Sequence, residues 1–94
     1  MAEFNNPYRH DVEEVVDVHS SKSRSLVLHN DEFHTFDYVI DSLIEICNHD
    51  LVQAEQCTMI VHYKGKCDVK AGQYAKLKPM REQLVEKGLT ATID

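Results

Sequence analysis

Behind Thr35, the residues Phe36, Val39, Ile40, Leu43, Ile44 and Cys47 recur at helical spacing, and that apolar stripe is the tightest constraint in the chain. A helix with one apolar side must bury it, and Thr35 is a good N-cap, so a first helix is predicted from Phe36 to about Asn48. The elements that cover it lie on either side. Arg24 to His29 reads as a strand, with Leu26 and Leu28 on one face and Val27 on the other. Asp50 caps a second helix with Gln53 three residues on, and Ala54, Cys57, Thr58, Val61 and His62 follow on adjacent faces until Gly65 stops it.

Lys66 to Lys70 is a short strand and Ala71-Gly72 a turn, while Leu77, Met80, Leu84 and Val85 mark a third helix ending at Gly88. Pro79 belongs in the first turn of that helix, or kinks it. Leu89, Ala91 and Ile93 alternate with Thr90, Thr92 and Asp94 as a closing strand should. The order strand, helix, helix, strand, helix, strand predicts an α/β (α+β) two-layer sandwich: a three-stranded antiparallel sheet with three helices on one face. In front of this core, residues 24–94, stand residues 1–23, which mix acids, Asn, Ser and Pro7. Val12, Val15, Val16 and Val18 have nothing to anchor them there, so a flexible arm is expected.

The totals narrow the function classes. A chain of 94 residues makes one domain, and one of this size buries only about two-thirds of its unfolded surface. A formal charge of −6 disfavours nucleic acid, whose phosphates want clustered Lys and Arg, and suits a cationic ligand or a basic patch on a partner. No stretch approaches a transmembrane span. The first residues, with Glu3, Pro7, Asp11, Glu13 and Glu14, lack the basic start and apolar segment of a secretory signal, so a cytoplasmic protein is expected. Cys47, Cys57 and Cys67 are odd in number and form no CxxC pair, which points to buried thiols.

Two segments carry candidate chemistry. Asn30-Asp31-Glu32 opens an acid-rich loop between the first strand and the first helix, and His62 sits near the end of the second helix, on the side of Val61 and Thr58. Each has an ordinary reading, the loop triplet as backbone-capping residues and His62 as a satisfied core histidine. If the two meet, the Asn carbonyl, the Asp carboxylate and a neutral imidazole nitrogen supply three acceptors for the three donors of a primary ammonium. Buried charge is tolerated only when paired, so such a site accepts free amino termini and rejects internal amides. His29, Asp31 and His34 invite a metal reading, but their spacing matches no ligand pattern, and neither HExxH nor a Cys pair is present. GxSxG and P-loop signatures are absent as well, so a non-catalytic binding module is expected, with no metal and no cofactor.

Asn30-Asp31-Glu32, Phe36-Asp37-Tyr38-Val39-Ile40 and Val61-His62-Tyr63-Lys64-Gly65-Lys66, in that order, resemble the ClpS family of adaptors for ATP-dependent Clp proteases. The resemblance runs from residue 24 to 94. It implies a protein that cuts nothing itself but binds substrates whose first residue is Phe, Tyr, Trp or Leu, the N-degrons, and passes them to the N-terminal domain of a ClpA- or ClpC-like ATPase. By the same resemblance, Asn30, Asp31 and His62 receive the substrate's α-amino group. His34, Phe36, Val39, Thr58 and Leu89 line the side-chain pocket, and Lys78 faces the ATPase. Thr58 and Phe36 stand where many members carry methionine. A monomer is expected, with no nucleic acid and no membrane partner. The alternative is a related domain that docks on a Clp ATPase and regulates it without a working pocket.

Overall fold

A computed structural model describes residues 22–94, so all but the last two residues of the expected arm lie outside it. The chain runs β1 (Arg24–His29), α1 (Phe36–Cys47), α2 (Leu51–Lys64), β2 (Lys66–Gly72), α3 (Tyr74–Glu86) and β3 (Thr90–Ile93). β1 is the central strand, flanked by β2 and β3, and both pairings are antiparallel. This is the α+β architecture expected from the apolar patterning.

The helix ends form for local reasons. Thr35 Oγ1 accepts the Tyr38 N–H at 3.1 Å and Asp50 Oδ1 accepts the Gln53 N–H at 2.8 Å, each satisfying an orphan donor of a first turn. α2 closes on Gly65, whose φ of 95° is left-handed and whose N–H reaches the Val61 carbonyl at 2.9 Å. One cluster then joins the layers: Leu26 and Leu28 of β1 pack with Leu43 and Cys47 of α1, Ala54 and Val61 of α2, Leu77 and Leu84 of α3, and Leu89 and Ala91. Val27, on the other face of the central strand, is buried as well.

Some boundaries differ from the sequence expectation. β2 does not turn at Ala71-Gly72; both residues stay in the ladder, opposite Ser25 and Arg24. The register shifts between Leu26 and Val27, where β2 inserts Val69 as an extra residue, and that bulge lets the strand run on. α3 begins at Tyr74, so Pro79 is not in its first turn but inside the helix. Ala75 and Pro79 are both exposed, so the carbonyl that proline leaves without its helical donor faces water. Of the three cysteines only Cys47 is buried; Cys57 and Cys67 are half-buried. His49, which the sequence pattern did not single out, is buried and donates from Nε2 to the Val69 carbonyl at 2.6 Å, tying the α1–α2 connection to the bulge. No helix among the described residues is long and apolar enough to cross a membrane.

Candidate functional site

The β1–α1 loop is shaped by Asp31. Its Oδ1 accepts the backbone N–H groups of Phe33 at 2.8 Å and His34 at 2.9 Å, and its Oδ2 lies 2.9 Å from His34 Nδ1. Burial pushes the Asp31 carboxyl up, but the hydrogen bonds from the His34 and Phe33 backbones and from the His34 ring, with the attraction of that ring, outweigh it. The net effect holds Asp31 below the usual carboxylate range, so it is anionic at neutral pH. At the start of the same loop, Asn30 donates its N–H to the Gly65 carbonyl at 2.9 Å, which fastens the loop to the end of α2.

That fastening brings His62 to the loop. Its ring meets Phe36 edge-on, with centroids 5.2 Å apart, and Tyr63 likewise at 4.9 Å. Behind them, Thr58 is buried and its hydroxyl donates to the Ala54 carbonyl at 2.7 Å, so it turns a methyl group and no free donor toward its surroundings. Leu89, also buried, enters from the turn between α3 and β3.

Asn30, Asp31, His34, Phe36, Val39, Thr58, His62 and Leu89 all line one cavity of about 40 Å³. Leu28, His29 and Val61 complete the lining, and the sequence reading did not assign them to it. Val61 could have been found from its place between Thr58 and His62 on α2, and Leu28 and His29 from their place at the mouth-side end of β1. Lys78 lies apart, half-buried on α3. His29 and His34 turn to different partners, His29 Nε2 to Thr92 Oγ1 at 2.8 Å and His34 to Asp31, so they do not converge with Asp31 on one point.

The cavity thus has a polar, anionic lip of Asn30, Asp31 and His62 and an apolar body of Val39, Val61, Leu28 and Leu89. A family model described as the ATP-dependent Clp protease adaptor protein ClpS matches residues 19–92. The chain belongs to the ClpS family. Over 55 residues it is 36% identical to the ATP-dependent Clp protease adapter protein ClpS of Erwinia tasmaniensis, a match covering 56% of this chain and 52% of that protein. Over 58 residues it is 38% identical to the E3 ubiquitin-protein ligase UBR1 of Homo sapiens, covering 62% of this chain but 3% of the ligase. The match therefore spans about half the length of the ClpS relative and a small part of the ligase. Among solved structures, Agrobacterium tumefaciens ClpS2 bound to L-phenylalaninamide superposes with a TM-score of 0.68 at 20% identity, over 80% of this chain and 98% of that one. The shared fold is that of the ClpS family, a family of protease adaptors rather than proteases.

Proposed function

We propose that this ClpS-family domain binds protein chains by a free amino terminus followed by a bulky apolar first side chain, and that it presents them for degradation. The observation that carries the reading is the single cavity in which an anionic acceptor lip meets an apolar body. The ammonium of the first residue sits among Asn30, Asp31 and His62, and its side chain enters between Val39, Thr58 and Leu89. The ClpS2 relative was solved with L-phenylalaninamide, which has both parts, a free amino group and a bulky apolar side chain. At about 40 Å³ the cavity holds water but no phenyl ring, since an apolar cavity that takes benzene measures about 150 Å³. Entry therefore moves the mouth, where Phe36 and His62 are exposed and in edge contact.

The receiving machine is a Clp-type ATPase on the ClpS matches, with Lys78 on α3 in the docking surface and residues 1–23 as the arm. The likeness to UBR1 favours a second reading, in which the same pocket serves a ubiquitin ligase. The two share the pocket and differ only in the partner.

The test is fluorescence anisotropy with peptides that differ in the first residue alone, each with a free or an acetylated amino terminus. Binding of the free Phe-initiated peptide, with loss on acetylation and on a change to a Glu-initiated one, is expected. Equal binding of free and acetylated peptides overturns the reading and favours a docking domain without a working pocket. Capture by an immobilised ClpA- or ClpC-type N-terminal domain, or failure to be captured, then decides between the two partners.

A further inference from the structure

His34 makes more contacts than a pocket wall needs. Its Nδ1 lies 2.9 Å from Asp31 Oδ2, and because an ionised carboxylate only accepts, Nδ1 carries the hydrogen. The ring stacks on Tyr38 with centroids 4.9 Å apart and planes inclined by 19°. Its far edge abuts the turn between α3 and β3: a Cβ on Gly88 would meet Nε2 at 3.1 Å and Cε1 at 3.4 Å. Tyr38 reaches the same turn, its hydroxyl donating to the Lys87 carbonyl at 2.6 Å. Leu89, the next residue after Gly88, is a wall of the pocket.

One imidazole ring therefore stands between the two ends of the site. One edge holds the carboxylate of the ammonium lip, and the other props the backbone that carries Leu89. We propose that His34 is a positioning residue, which fixes the spacing between the amino-group lip and the far wall and thereby the size of first side chain the pocket prefers. The inference rests on the pocket reading above. His34 touches the bound chain through neither contact; it acts through Asp31 and through Gly88.

The two contacts are separable by substitution. His34→Asn keeps a donor near the Nδ1 position and removes the half of the ring that props Gly88. His34→Phe keeps a ring on Tyr38 and against the turn, and removes the donor to Asp31. Wild type, both variants and Tyr38→Phe are titrated with Phe-, Leu- and Trp-initiated peptides. For His34→Asn, the ratio of Phe to Leu affinity is expected to collapse toward one while the affinity for the Phe-initiated peptide falls less. For His34→Phe, the ratio is expected to hold while every affinity falls several-fold by a common factor, because Asp31 loses the donor that fixes its Oδ2 at the lip. A purely structural role cannot give this pattern, because a smaller folded fraction scales every apparent affinity alike and leaves the ratios fixed. Should His34→Asn fail to fold, His34→Ser removes the same half of the ring from Gly88, and an unchanged ratio there overturns the inference; Tyr38→Phe, which leaves His34 in place, is expected to keep the ratio. Wild-type ratios in both His34 variants overturn it alone; a wild-type protein indifferent to the first residue overturns the pocket reading with it.

Discussion

Asn30 donates its backbone N–H to the carbonyl of Gly65 across a 2.9 Å bond, and through it the loop that follows β1 is fixed to the last turn of α2. The bond joins residues distant in sequence, and it sets Asn30 and His62 on the same lip. Gly65 holds its carbonyl in place by adopting a φ of 95°, with open space where a Cβ would stand. Gly65→Ala therefore adds no clash but does add the left-handed strain of an L-residue, about 1–2 kcal/mol. A loss of that size in urea denaturation is expected, with a several-fold fall in affinity for a Phe-initiated peptide as the carbonyl shifts. A loss of stability with unchanged affinity would show that Asn30 keeps its place without this bond.

Asp31 makes the loop acid-sensitive. Its folded pKa is depressed below 3.8, so its contribution to stability is fully present above that value and is lost as the pH falls through the folded pKa. Asn at this position keeps an acceptor for the backbone N–H groups but no charge for the His34 ring. Asp31→Asn is expected to be less stable than wild type at neutral pH, and the gap should close as the pH drops below 3.8. Urea midpoints for both proteins across that range measure it; a gap that stays constant would remove the ionised carboxylate from the account.

The order of elements was legible because its signals are local. Thr35, Asp50 and Gly65 mark helix ends through bonds to their own neighbours, and the structure uses all three. The end of β2 was not legible, because it depends on a bulge at Val69 that is set by pairing with a strand far away in sequence. The start of α3 was missed because Pro79 suggested a first turn, whereas exposure of Ala75 and Pro79 lets water satisfy the freed carbonyl. In the site, the residue types of the lip suggested an ammonium ligand, but their meeting came only from the family resemblance; no spacing rule links Asp31 to His62. The clamp at His34 was hidden altogether, because it joins a loop to Gly88 across the fold.

Two thiols, those of Cys47 and Cys67, should be inert in the native state. Burial raises Cys47 to about 11, and burial together with the neighbouring Cys57 thiol raises Cys67 to about 12. Since the thiolate is the nucleophile, a pKa of about 11 leaves roughly one Cys47 in a thousand reactive at mildly alkaline pH. Iodoacetamide at mildly alkaline pH followed by mass spectrometry should leave Cys47 and Cys67 unmodified until denaturant is added. Fast labelling of Cys47 would mean that the end of α1 opens locally, and fast labelling of Cys67 that β2 does.

Thr58 offers the sharpest separation between a ligand pocket and a mere packing defect. Its side chain is buried against the cavity of about 40 Å³, and its hydroxyl is already satisfied by the Ala54 carbonyl at 2.7 Å. Thr58→Leu sends a longer, branched apolar chain into that space, and the Ala54 carbonyl retains its helical N–H partner. Filling a cavity commonly raises stability by about 0.5–2 kcal/mol, so the free protein is expected to melt at the same temperature or higher. If the cavity receives a first side chain, the gain in stability comes with a loss of binding, and the loss is graded: largest for a Trp-initiated peptide, smaller for Phe, smallest for Leu. A packing defect predicts the same gain with no change for any peptide. Thermal melts and titrations on one preparation distinguish the two, because only a pocket used by the ligand makes stability and affinity move in opposite directions.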